Sequence, residues 1–177
     1  MLLRLHAAIV PTSLAGMLVI AGAQGPGAPA TDRVGFPKDY QTTFQRLRAA
    51  DDAESKTTRI VYGNRAAASK TDSAYPYGSI IVMETWTALK DDHQNILRDD
   101  AGHFRKDKVT GLHVMRKERG FGAAYAQNRA GEWEYVEYRP DGTYITAPAA
   151  SAKCAACHLK AGARKDFVYG GSPGAKP

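Results

Sequence analysis

Apolar positions recur about every four residues at the start of the folded region and about every two beyond it. Tyr40, Phe44 and Leu47 fall at helical spacing behind Asp39, a residue suited to N-capping, with Arg46 and Arg48 on the other side. This predicts an amphipathic helix of about three turns, its aromatics in the core. From Thr57 to Tyr62 the chain is β-branched and ends at Gly63-Asn64, a strand running into a turn. Arg65 to Ser73 reads as a loop or short helix. Tyr75-Pro76-Tyr77-Gly78 signals a turn, and Ser79 to Trp86 is the strongest strand, its apolar run predicting burial on both faces near its start. Lys90 to Thr110 is polar and charged, a long surface excursion with one helical turn at most. His113 to Lys117 and Gly131 to Arg139 give two further strands, and Pro140-Asp141-Gly142 turns the second into Thr143 to Thr146 as a hairpin. Connections this short favour antiparallel pairing, so the fold class is α+β, mainly an antiparallel β-sheet behind an N-terminal helix.

The ends of the chain read differently. Leu5 to Ile20 is a short apolar run after Arg4, broken by Pro11 and followed by Ala21-Gly22-Ala23, the pattern of a cleavable export signal over residues 1–23. Gln24 to Gly35, rich in Gly, Pro and Ala, is expected to be a flexible leader (24–35). One domain follows over 36–169, and 170–177 is a Gly/Pro tail expected to be disordered. The formal charge is +6 and falls to +5 without Arg4. Lys and Arg are interspersed with Asp and Glu, with no basic stripe or nucleic-acid motif, so nucleic acid is not an expected partner.

The chemistry is concentrated at Cys154-Ala155-Ala156-Cys157-His158, the C-x-x-C-H pattern that attaches a c-type haem. On one helical turn Cys154, Cys157 and His158 face one flat macrocycle: two thiols bond its edge and the imidazole ligates iron. A disulfide or redox pair is the alternative, but it needs no adjacent histidine and usually accompanies a βαβ pattern. Zinc is a poorer one, because the cluster supplies at most three ligands and the chain has only 2 cysteines. Export and haem attachment agree, since c-type haems are attached outside the bacterial cytoplasm; the expected location is the periplasm. The haem-attachment turn therefore closes the fold at its C-terminal end.

Only 19 residues follow His158, and none is Met or His. A sixth iron ligand would have to come from Met83, Met115, His93, His103 or His113. The favoured expectation is an open sixth position that binds a small gaseous or nitrogenous ligand. A closed one would make an electron carrier. The four-helix cytochromes with a C-terminal motif are excluded by the strands at Ser79 to Trp86 and Glu132 to Tyr138.

The ordered series Phe36-Pro37-x-x-Tyr40, Arg59-Ile60-Val61-Tyr62-x-Asn64, Tyr75 to Val82 with Glu84, Lys117-Glu118-x-Gly120, Gly131 to Tyr135, Asp141-Gly142 and Cys154-x-x-Cys157-His158 resembles the cytochrome P460 family, which includes the cytochromes c′-β. The resemblance implies a mainly antiparallel haem domain, commonly a homodimer, with an open distal site. Members oxidise hydroxylamine or bind nitric oxide and related gases, in some cases passing electrons to a soluble redox partner. It implies one covalent haem c, with Cys154 and Cys157 as thioether residues and His158 as the proximal metal ligand. Hydroxylamine-oxidising members carry a haem-crosslinking lysine immediately before the strand glutamate. That position is Met83, followed by Glu84, so enzyme activity is left open and no catalytic residue is assigned. Lys70 and Lys90 read as surface lysines. Tyr75 falls near the expected distal aromatic, with packing on the sheet an equal alternative. Glu84, Glu118 and Glu137 could accept protons, although a surface position is the simpler expectation for each.

Overall fold

The computed structural model describes residues 27–70 and 74–170. The export signal and nearly all of the tail lie outside them. Six strands form one antiparallel sheet in sequence order: β1 (Gln45–Asp52), β2 (Thr57–Gly63), β3 (Ile80–Ala88), β4 (Lys106–Lys117), β5 (Trp133–Tyr138) and β6 (Tyr144–Thr146). Three short α-helices accompany it: α1 (Tyr40–Thr43), α2 (Arg65–Ala68) and α3 (Ala152–Leu159).

The expected three-turn N-terminal helix is one turn long. Phe44 is extended at φ −100°, and the chain continues as β1 against β2. Pairing satisfies the open edge of β2 along its length, which outweighs a weak local helical pattern. Asp39 is not a side-chain cap: it adopts φ 56° and accepts the Thr42 and Thr43 hydroxyls with its carbonyl. In the register of β1, Leu47 is the extra residue between Arg46 (opposite Tyr62) and Arg48 (opposite Val61). Gly63, which pairs with Gln45, lies beside this bulge. A Cβ on Gly63 would lie 2.8 Å from Leu47 Cδ1.

The long excursion is shorter than expected, because Lys106 to Thr110 already belongs to β4. No helix forms over 90–105. Instead, Asp91 accepts the His93 and Asn95 N–H groups, and Asp99 those of Ala101 and His103, giving two tight side-chain-capped turns. The C-terminal motif, expected as a turn, lies on the two-turn helix α3.

Alternation gives the sheet two buried faces. Val82, Leu112, Val114, Val136 and Tyr138 point to one side and are covered by Val34, Phe36, Tyr40 and Phe44. Val34 of that cover comes from the stretch expected to be a free leader. Asp32 accepts the Tyr138 hydroxyl at 2.6 Å and the Tyr144 hydroxyl at 3.1 Å, Arg33 pairs with Glu134, and Val34 is buried. The charges of the leader thus find partners on the sheet. Val61, Ile81, Met115, Trp133 and Tyr135 point to the other side, toward α3 and Tyr125.

Candidate functional site

The second face carries a cleft whose floor follows from strand register. One rung crosses all six strands: Arg48, Val61, Met83, His113, Glu137 and Thr146. The next holds Gly63, Ile81, Met115 and Tyr135. Cross-strand partners project to the same side, so both rungs present their side chains together. The roof is α3 with the segment that follows it, and Cys154, His158, Val168 and Tyr169 line the opening. The cleft encloses about 210 Å³ and opens to solvent.

α3 is seated by two buried groups. Ala155 packs fully into the core, and the Ser151 hydroxyl lies 2.8 Å from Tyr125 Oη and donates to the Pro148 carbonyl at 2.6 Å. The motif is helical as expected, with Cys154 and His158 facing the cleft, while Cys157 is exposed outside its lining; neither cysteine is in a disulfide. Burial pushes the Cys154 thiol up to about 11. His158 stacks on Tyr135 with ring centroids 4.6 Å apart. Its Nδ1 lies 2.8 Å from the Phe167 carbonyl, which can only accept. The proton therefore sits on Nδ1 and the Nε2 lone pair is left available, while burial lowers the imidazole pKa and favours this neutral form.

Of the upstream residues considered as iron ligands, Met83, Met115 and His113 line the cleft, whereas His93 and His103 are exposed on the excursion. His113 Nδ1 sits 2.7 Å from Glu137 Oε1, and Thr146 donates to the other carboxylate oxygen. Those contacts, His113 first, hold the Glu137 carboxyl down at about 2. Tyr75 walls the cleft and packs edge-on against Trp133 at 5.6 Å. Lys70 places its ammonium 5.0 Å from the Tyr75 ring centre, and Lys90 Nζ donates to Gln94 Oε1 at 3.4 Å.

The three glutamates separate. Glu137 lines the cleft, Glu118 pairs with Arg116, and Glu84 faces the opposite side of the sheet. A surface position is wrong for Glu84, which is 0% exposed and accepts from the Tyr40 hydroxyl, Gln41 at 2.5 Å and Trp86 Nε1 at 2.6 Å. Three donors replace its lost water. The sequence reading missed Arg48, Tyr135, Phe167 and Tyr169 as site residues. Arg48 was hidden by the helical reading of β1, while the alternation of Trp133, Tyr135 and Glu137 carried a usable signal for Tyr135.

These residues fit a haem. Two thiols three residues apart and an imidazole with one free nitrogen supply the covalent and axial donors, and an apolar cleft adjoins them. The buried Tyr135 hydroxyl adds a second indication, having no hydrogen-bond partner among the described residues. A polar edge of a bound group would supply one.

An antiparallel sheet closed by a C-x-x-C-H helix over an apolar cleft is the arrangement of a haem-binding cytochrome. The chain belongs to the Cytochrome P460 family, whose profile matches residues 37–170. No curated protein matches it.

Proposed function

We propose that this protein is a periplasmic mono-haem c-type cytochrome. Cys154 and Cys157 form the thioethers, His158 is the proximal ligand, and the cleft admits nitric oxide or a similar small ligand. The observation that carries the reading is the commitment of His158 Nδ1 to the Phe167 carbonyl, which fixes the tautomer that an iron ligand requires. When bound, the haem supplies an iron centre able to take a diatomic ligand and to exchange an electron. The chain's own residues do the rest. Tyr135 orients the imidazole by stacking, Val61, Ile81, Met83 and Met115 exclude water from the floor, and Tyr75 limits access from the side. Glu137 with His113 sets a fixed negative charge at the β5 end. The proposal includes export by cleavage after Ala23, a homodimeric state and exchange of electrons with a soluble redox protein.

Two other readings make distinct demands. Met83 and Met115 on the cleft floor favour an electron carrier with a methionine sixth ligand. Hydroxylamine oxidation is disfavoured at the crosslink position itself, because the Met83 thioether has no amine to bond the macrocycle.

The test is the visible spectrum of haem-loaded protein, oxidised and reduced, before and after nitric oxide. The expected result is a five-coordinate ferrous spectrum of ordinary c type that changes when the gas is added. A low-spin six-coordinate spectrum indifferent to nitric oxide would establish the electron carrier instead. A strongly red-shifted ferrous Soret band would revive the oxidase.

A further inference from the structure

Three parts of the site converge on Asp166. Its Oδ2 accepts Lys117 Nζ at 2.7 Å and the Tyr75 backbone N–H at 2.8 Å. Its carbonyl accepts Trp133 Nε1–H at 2.9 Å. The next carbonyl, that of Phe167, receives the His158 Nδ1 proton. One residue therefore ties β4, β5 and the turn before β3 to the backbone that holds the candidate iron ligand.

The backbone there is unusual. Asp166 and Phe167 have φ of 50° and 59°, the left-handed region, in succession and without glycine. Such residues persist where the surroundings over-determine them, and they gather at functional sites. The over-determining contact is an ion pair whose members are both 8% exposed. Lys117 Nζ also lies 5.7 Å from the Tyr77 ring centre and 5.9 Å from that of Trp133. A buried ion pair is a weak means of stabilising a fold, since desolvation offsets much of the attraction. Its geometry is specific, however. It fixes where a carboxylate, and hence the following carbonyl, can lie.

We propose that Lys117 and Asp166 are a positioning pair: they hold the left-handed turn so that the Phe167 carbonyl sets the His158 imidazole, and through the Tyr75 N–H they lock the Tyr75 wall to the same turn. The inference rests on His158 being the haem ligand. The hydrogen bond from Nδ1 raises the basicity of the ligating nitrogen, and the imidazole's basicity tunes the iron. Relaxing the turn weakens that bond. The ferric state then loses more stabilisation than the ferrous, and the midpoint potential rises.

The experiment uses the haem-loaded protein with Asp166→Asn, Lys117→Met, both together, and Lys117→Arg. Arg33→Met, which breaks the ion pair with Glu134 on the far face of the sheet, controls for general destabilisation. The readouts are the midpoint potential and the iron–histidine stretching band of the ferrous protein in resonance Raman. Asp166→Asn leaves Lys117 a buried unpaired cation and can fail to fold; the double variant removes that charge and keeps the test open. In the double variant the potential shifts up and the band shifts to lower frequency. Arg33→Met stays at wild-type values, and Lys117→Arg, which keeps the cation, stays close to them. A double variant that melts earlier yet keeps the wild-type potential and band would overturn the proposal and leave the pair merely structural. His158→Ala in the same spectra separates the two failures: the band must vanish if His158 is the ligand. The potential reads the pair whether the sixth position is open or closed.

Discussion

The two faces of the sheet come from the same alternating strands and end with opposite fates. On the closed face, Val34, Phe36, Tyr40 and Phe44 lie over Val82, Leu112, Val114 and Val136. Its buried carboxylates are fully engaged, Glu84 by three side-chain donors and Glu134 by Arg33 and the Gly122 N–H. On the open face the eight residues of α3 are too few to cover the floor. A cleft remains between Met83, Met115 and His158, and the buried Tyr135 hydroxyl is unsatisfied among the described residues. A strand pattern that is apolar on both sides therefore specifies two cores, and what covers each side decides which becomes a site.

That contrast can be broken from either side. The largest expected effect is on the open face: Cys154→Ala with Cys157→Ala leaves haem extractable by acidified solvent, with loss of essentially all covalent attachment. The closed face does not depend on these thiols, so the far-ultraviolet circular dichroism of the strands should be retained. A collapse of the β signal would show that the two faces are not separable. On the closed side, Glu84→Leu leaves the donors of Tyr40, Gln41 and Trp86 without an acceptor. The expected cost is about 3 kcal/mol by urea unfolding, with the haem spectrum unchanged. A spectral change without loss of stability would place Glu84 in communication with the cleft and refute the division.

How much of this was readable without coordinates follows the same division. The strands Thr57 to Gly63, Ile80 to Ala88 and Trp133 to Tyr138 announced themselves through β-branched and aromatic runs between turn residues. Ile81 and Val82, 5% and 0% exposed on opposite faces, bear out the double burial expected where β3 begins. The motif at Cys154, Cys157 and His158 was legible because its chemistry fixes its spacing. β1 was not, since Tyr40, Phe44 and Leu47 match a helix locally and only the unpaired edge of β2 makes the strand preferable. Nor was the role of residues 27–35, whose Asp32, Arg33 and Val34 gain meaning from tyrosines and a glutamate about a hundred positions away. Asp166 and Phe167 lacked any signal, because no glycine marks their left-handed turn.

The smallest of these effects concerns the Glu137–His113 contact at the rim of the open face. Glu137 is held at about 2 against an ordinary 4.5, by the hydrogen bond with His113 first, with Thr146 adding to it. A carboxyl depressed in the folded state binds protons more readily when the chain unfolds. Its stabilising contribution is therefore complete above about pH 4.5 and is lost as pH falls through 2. The pair is partly exposed on the His113 side, which reduces the contribution to about 2 kcal/mol at neutral pH. Glu137→Gln should be less stable than wild type by that amount at pH 7, and the two unfolding curves should converge as pH approaches 2. The same titration on Glu118→Gln, whose carboxylate pairs with Arg116 away from the cleft, should give parallel profiles separated by less than about 0.5 kcal/mol. Convergence for Glu137 alone would show that the open face holds an ionised carboxylate specific to its rim. Equal behaviour of the two variants would mean that His113 and Glu137 act as an ordinary surface pair, and that the fixed charge assigned to the β5 end of the cleft has no energetic basis.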